Sequence, residues 1–256
     1  MLDLATRLGV LKDGYKILEV GTGWMHWEAI TISLFYDIQA VLFDVWDNRQ
    51  LVALKNYLNQ FGKVIPQLVE VSQERKRRAQ QLVQKILNVA SFDELYNLLG
   101  FQYVVSRSGS FEGLADNWFD VVVSARVLEH IDLDRVQQFA RDCKRVLKKG
   151  GYSLHSICIG DHLYDHDQSV SAKQYLAYSD TTWKRWFNSR ILYINRLQKS
   201  EWLRIFENAK LVLIEDQCTQ AAITSLKIAD RFKMFEPSDL ECYTLRMLHR
   251  NGDIVK

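Results

Sequence analysis

Five short, continuously apolar runs recur along the N-terminal part of the chain: Lys16 to Val20, Gln39 to Val45, Phe101 to Ser106, Phe119 to Ala125 and Tyr152 to Ile159. Runs of this length without polar alternation predict strands buried on both faces, as in the centre of a parallel sheet. Between them the apolar period becomes helical. Arg49 to Phe61 is one such segment, and Leu133 to Leu147 another, closed by Lys148-Lys149-Gly150-Gly151 as a cationic last turn and a glycine stop. Towards the C-terminus the pattern predicts a helix over Ser200 to Ala209, a strand over Leu211 to Gln217, a helical segment over Thr224 to Phe235 and a last strand over Tyr243 to Arg250.

Two stretches depart from this alternation. The first, about residues 66–100, holds a helix within Gln67 to Val89 and a shorter one at Phe92 to Leu99. The longer helix has an apolar seam at Leu82, Val83, Ile86 and Leu87 and a basic run at Glu74 to Arg78 that reads as a solvated face. Covering the sheet edge is its expected role, with a homodimer contact or a flap over an anionic acceptor as alternatives. The second, about 161–200, is crowded with His162, Tyr164, Asp165, His166, Asp167, Tyr175, Tyr178, Trp183, Trp186 and Tyr193. It follows the carboxyl end of the fifth strand, the side on which open α/β sheets bind ligands, so acceptor recognition is expected there.

The first strand ends in chemistry. Glu19-Val20-Gly21-Thr22-Gly23-Trp24 joins a carboxylate, able to accept from an amine or hydroxyl, to two glycines that let the backbone approach a ligand closely. A dinucleotide fingerprint would place a third glycine at position 26, where this chain has His26, so NAD is disfavoured and a phosphate-free adenosine ligand favoured. Asp44, at the end of the second run, stands where a doubly wound fold places the acid that holds a ribose.

These residues, with the runs FDVVVSARVLEHI and RVLKKGGYSLHS, resemble the class I S-adenosylmethionine-dependent methyltransferases, and the likeness covers about residues 14–160 by motif. Asp161 to Trp183 with NRLQKSEW further resembles a subgroup associated with bacterial polysaccharide and secondary-metabolite clusters. The resemblance implies a Rossmann-like, three-layer α/β/α fold on one domain, with a seven-stranded, mostly parallel sheet in the order 3-2-1-4-5-7-6 and an antiparallel last strand. It also implies S-adenosylmethionine as cofactor, with Glu19, Gly21, Thr22 and Gly23 by its methionine part and Asp44 on the ribose. Ser106 and Arg107 border the adenine, and Ser124, Ala125 and Arg126 line the pocket. An acid is common after the third strand in this family; Ser106 and Arg107 stand there instead, which points to backbone recognition of adenine.

The implied reaction is displacement at the sulfonium methyl group by an acceptor, most simply a hydroxyl of a glycan or small molecule. His162 and His130 are the expected bases, since histidine titrates near neutrality, and Tyr164, Tyr178 and Trp183 are expected to orient the acceptor. The His162/His166 pair with its acids matches no specific metal signature, so no metal site is expected. A catalytically inactive partner subunit and an NAD-dependent oxidoreductase are the competing readings.

Composition refines this picture. At 256 residues and 48% hydrophobic the chain can form one large core, and a net charge of +2 gives no support for a nucleic-acid partner. Cys143, Cys158, Cys218 and Cys242 form no C-x-x-C pair, so reduced thiols and a cytoplasmic address are expected. No run reaches bilayer length and no leader pattern opens the chain, so a soluble protein is expected.

Overall fold

The computed structural model describes residues 2–69, 71–187 and 193–252. Residues 188–192, inside the expected acceptor-side insertion, lie outside the described residues. In chain order the elements are α1 (Leu2–Arg7), β1 (Tyr15–Val20), α2 (Trp27–Phe35), β2 (Ile38–Asp44), α3 (Leu51–Val64), α4 (Gln73–Asn88), α5 (Phe92–Leu99), β3 (Phe101–Val105) and β4 (Phe119–Ala125). After them come α6 (Val136–Val146), β5 (Leu147–Cys158), α7 (Leu163–His166), α8 (Asp180–Trp186), α9 (Lys199–Asn208), β6 (Leu211–Gln220), α10 (Pro237–Leu240) and β7 (Cys242–Asn251).

The strands form one sheet in the order β3-β2-β1-β4-β5-β7-β6, as the family resemblance implies. The pairs β1/β2, β1/β4 and β2/β3 are parallel, and β6/β7 is antiparallel. By Cα proximity the chain groups into two compact units, residues 1–124 with 145–152, and residues 125–144 with 153–256. Among the described residues no helix is long and apolar enough to cross a membrane.

In the first unit Ile17 and Leu18 of β1, Leu42 and Phe43 of β2 and Val121, Val122 and Val123 of β4 are buried, which is why these strands read as unbroken apolar runs. Parallel register sets Val20 beside Phe43 and Glu19 beside Leu42 and Val123, so the functional carboxylates fall at strand ends.

The basic run of α4 is solvated only in part: Glu74 and Arg77 are exposed, but the other three residues are engaged by the fold. Arg78 donates to the carbonyls of Ser33 and Leu34 at 2.5 and 2.8 Å, and Arg75 donates to that of Phe35, so both guanidinium groups satisfy the open carbonyls in the last turn of α2. Lys76 is buried and donates to the Pro66 carbonyl at 3.0 Å. The seam positions Val83 and Ile86 are buried within the chain.

The Lys148 to Gly151 segment is also not a helix end. It forms the start of β5, with Lys148 Nζ 2.7 and 2.8 Å from the two Asp120 carboxylate oxygens. A Cβ on Gly151 would stand 2.9 Å from the Asp120 carbonyl oxygen, so glycine here serves close strand approach rather than a helix stop.

In the second unit the stretch after β5 is fastened by polar groups taken out of water. Lys173, fully buried, donates through Nζ to the carbonyls of Ile159 and Cys242, each at 2.8 Å, and Tyr175 Oη donates to the same Ile159 carbonyl at 3.0 Å. Gln198 Nε2 donates to Tyr175 Oη at 3.0 Å. Burial pulls the Lys173 ammonium down to about 7.

Residues 224–235 do not form the expected helix; only a 3-10 turn, Asp230–Phe232, is helical. The Ala229 N–H is drawn instead to the Leu176 carbonyl at 2.9 Å, and Leu226, Ile228 and Phe232 pack on the cluster around Tyr175, Leu176 and Ile194. The expectation of four reduced cysteines is likewise corrected. Antiparallel pairing of β6 with β7 brings the Cα atoms of Cys218 and Cys242 to 5.7 Å and the two are disulfide-bonded, while Cys143 and Cys158 are free and buried.

Alkylation of denatured, unreduced protein is therefore expected to label two of the four thiols, and reduction of the bridge, which joins residues 24 apart, to lower stability by roughly 3 kcal/mol. Mass spectrometry and denaturant titration check this, and labelling of all four would refute the pairing.

Candidate active site

Glu19 is 3% exposed, and its carboxylate faces the start of α2, accepting from the N–H of Ala29 at 2.8 Å and of Glu28 at 3.3 Å. These are donors left open at a helix start, and His26, the residue before α2, supplies no side-chain cap. Desolvation raises Glu19 to about 8 against the pull of the same N–H groups.

Asp44 secures the other side of the turn. Its Oδ2 accepts from Gly23 N–H at 2.8 Å, and its Oδ1 from the N–H of Val45 and Trp46 at 2.7 and 3.2 Å. Gly21, at φ 69°, donates to the Phe43 carbonyl at 2.8 Å, and Gly23 lies at φ 56°, a left-handed conformation that a side chain would oppose. Ser106 N–H donates to the Asp44 carbonyl at 2.9 Å. The structure thus ties Gly23, Asp44 and Ser106 together by direct bonds, with Glu19 one strand across. Thr22 Oγ1 is buried without a partner among the described residues.

Several groups in this unit were missed by the sequence reading. Trp46 is 55% exposed, and the Arg107 guanidinium lies 4.9 Å from its ring centroid. His26, also left-handed, is fully buried, with Nε2 2.7 Å from Tyr96 Oη. The rings of Phe92 and Tyr103 stand 5.3 and 5.4 Å from its ring, and burial lowers it to about 4. Arg49 stacks on Tyr103 at 4.4 Å and pairs with Asp47 at 2.8 Å, which holds that carboxyl at about 2. The only advance sign of this cluster was a histidine at the position of a third glycine. Ser124 is fully buried at the end of β4.

The second unit carries the remaining candidates. Ala125 ends β4, and Arg126, exposed and at φ 55°, donates its N–H to the Ser156 carbonyl at 2.8 Å. A 3-10 turn, Leu128–His130, follows. It is clamped by buried Asn195, whose N–H donates to the Glu129 carbonyl at 2.8 Å and whose Nδ2 donates to the carbonyls of Leu128 and Ile131 at 2.8 and 3.1 Å.

His130 Nδ1 lies 2.9 Å from the Tyr193 carbonyl. A carbonyl only accepts, so Nδ1 carries the proton and Nε2 of neutral His130 presents a lone pair. The His162 ring is 5.0 Å from that of His130. Burial, then the neighbouring His130, lower His162, keeping it neutral at physiological pH.

Tyr164 and Tyr178 both border a groove of about 810 Å³, together with Gln174, Gln220 and Lys227. Trp183 does not. It is 5% exposed in the core cluster, 5.2 Å from the Phe187 ring and beneath the Arg196 guanidinium, so its expected contact with an acceptor gives way to a packing role.

Glu19 retains its proton up to about 8 when folded, whereas a carboxyl free of the fold loses it near 4.5. The folded state binds the extra proton between those values, so this contribution is full below about 4.5 and is lost as pH rises towards about 8. Glu19→Gln removes that dependence, and its stability relative to the unsubstituted protein is expected to rise from about pH 5 to about pH 8. Urea unfolding across the range checks this; parallel curves would refute it.

Residues 57–154 match the family described as "Methyltransferase domain", and no curated protein matches the chain. Among solved structures, a candidate methyltransferase from Bacillus halodurans C-125 is 17% identical, with 98% of this chain and 99% of that one aligned at a TM-score of 0.53. Phosphoethanolamine N-methyltransferase 2 of Haemonchus contortus, solved with S-adenosyl-L-methionine, is 15% identical over 98% of this chain and 52% of its own, at 0.55. The cyclase SpnF is 13% identical over 98% and 79%, at 0.52, so one fold carries more than one chemistry. The sheet order and the domain match together support the class I methyltransferase family, whose fold this chain has.

Proposed function

We propose that the protein is an S-adenosylmethionine-dependent methyltransferase acting on a hydroxyl of a small molecule or glycan. The observation that carries the reading is the Gly21 to Gly23 turn latched by buried Asp44, in a chain whose residues 57–154 match a methyltransferase domain. The whole chain serves as one catalytic domain in this reading.

Asp44 spends its charge on three backbone N–H groups, and carboxylate oxygens have lone pairs left for two ribose hydroxyls. Glu19 and the backbone of Gly21, Thr22 and Gly23 take the methionine end, and the pocket wall is Ser124, Ala125 and Arg126. Ser106, Arg107 and exposed Trp46 offer adenine a backbone edge and a flat ring instead of an acid. Tyr164 and Tyr178 receive the acceptor at the groove.

S-adenosylmethionine, when bound, would supply an electrophilic methyl group to the acceptor oxygen, with its sulfonium leaving as a neutral thioether. The hydroxyl proton passes to a neutral imidazole, His162 or His130. The protein's main work is alignment, because the cofactor supplies the electrophile. The exposed edge at Ser106 and Arg107 also fits a cofactor-binding subunit without turnover, which is the second reading.

Calorimetric titration with S-adenosylmethionine is expected to show micromolar binding, with none for NAD. Asp44→Ala, checked for folding by circular dichroism, is expected to weaken the binding about tenfold or more, as loss of charged hydrogen bonds requires. Absence of binding would overturn the reading; binding without turnover across a glycan and small-molecule hydroxyl panel would favour the second.

A further inference from the structure

Glu129, His130 and His162 stand together after β4 and β5. Each offers a ligand atom, and these atoms all lie within 4.8 Å of one another. Glu129 is 2% exposed. Its Oε1 accepts from Cys158 N–H at 3.2 Å, whereas Oε2 is buried without a hydrogen-bond partner among the described residues. An oxygen left so costs about 1–3 kcal/mol, more if charged, unless something meets it. The nearby positive charge is Arg126, which is exposed and acts on Glu129 through the field rather than by a bond.

The two imidazoles are prepared as ligands. The Tyr193 carbonyl fixes the proton of His130 on Nδ1, leaving Nε2 as the donor, which is the outer-shell arrangement common to metal-binding histidines. His162 is half-buried, and its ring stands 5.0 Å from that of His130. Asn195 holds the Glu129 carbonyl and the carbonyls on either side of the turn, so two adjacent ligands sit on a braced segment. Bonds of about 2.1 Å at tetrahedral angles would place ligand atoms roughly 3.4 Å apart, a closure that the less buried imidazoles make towards fixed Glu129.

We propose that Glu129, His130 and His162 form a binding site for a divalent transition-metal cation, Zn²⁺ being the ion that two imidazoles and one carboxylate suit. Three protein ligands leave a fourth position open, as catalytic zinc sites do. That position takes an oxygen ligand and raises its acidity. This role rests on the methyltransferase reading, with the acceptor hydroxyl as the oxygen and the histidines acting through the cation; the site itself does not.

The test uses the full chain stripped by chelator and titrated with Zn²⁺ by calorimetry, and with Co²⁺ by visible absorption, in the absence of any methyl donor. One equivalent is expected in the micromolar range or tighter, with Co²⁺ absorption bands of a four- or five-coordinate N/O site. His130→Ala alters an exposed side chain and leaves the fold intact. It, His162→Ala and Glu129→Gln are each expected to weaken Zn²⁺ by more than the roughly 10- to 100-fold that outer-shell changes cost. Failure of both ions to bind the unsubstituted protein, or Zn²⁺ affinity unchanged in the His130→Ala/His162→Ala double variant, would overturn the site. Because the readout is the metal itself, failure of the methyltransferase reading leaves the result interpretable.

Discussion

A carboxylate removed from water must be met by donors, and three that have been removed organise the candidate residues, Glu19 and Asp44 in the first unit and Glu129 in the second. Glu19 meets the open N–H groups of α2, which lacks a side-chain cap of its own, and so fixes where that helix starts relative to β1. Asp44 meets Gly23, Val45 and Trp46, and so fixes the glycine turn against the end of β2. Residues that read as ligand contacts are therefore structural first. The turn is shaped before anything binds, which lowers the ordering that binding must supply.

The same economy operates with the sign reversed. Arg75, Arg78 and Lys173 place cations on backbone carbonyls, the first two at the end of α2 and the third where the loop after β5 meets the start of β7. A guanidinium carries five donors and a helix end several open acceptors, so the match is chemical as well as electrostatic. Helix α2 is consequently held at both ends by neighbouring side chains, a carboxylate at its start and guanidinium groups at its finish.

How much of this was legible follows from the range of the interactions. The strands β1, β2 and β4 announced themselves because most of their positions are buried, whereas β3, at the sheet edge, reads as an apolar run although only Phe101 is buried; the acids were legible because strand-to-turn transitions are local. The partner of a charge was not legible. Glu74 to Arg78 looks like a solvated basic face until α2 is seen to end beside it, and nothing near Lys173 in sequence indicates that its acceptors are Ile159 and Cys242. The disulfide has the same cause: Cys218 and Cys242 are joined by the β6/β7 pairing, not by motif spacing. Residues 224–235 were misread because apolar positions at near-helical spacing also suit an irregular segment lying over a core. Trp183 failed as an acceptor contact for a related reason, since an aromatic in a ligand-side loop is as readily core as surface.

Glu129 differs from the other two carboxylates in one respect that the fold leaves open. Glu19 and Asp44 have donors on both oxygens, whereas Glu129 has Cys158 on one and no hydrogen-bond partner on the other. A carboxylate oxygen of Glu129 and a nitrogen of each of two imidazoles all lie within 4.8 Å of one another, and Oε2 is the oxygen still to be met. A proton on that oxygen satisfies it only if an imidazole nitrogen accepts, and a cation satisfies it together with both imidazoles at once. The second arrangement resolves the three groups with one particle, and it accounts for the backbone brace that Asn195 and Tyr193 place behind two of them.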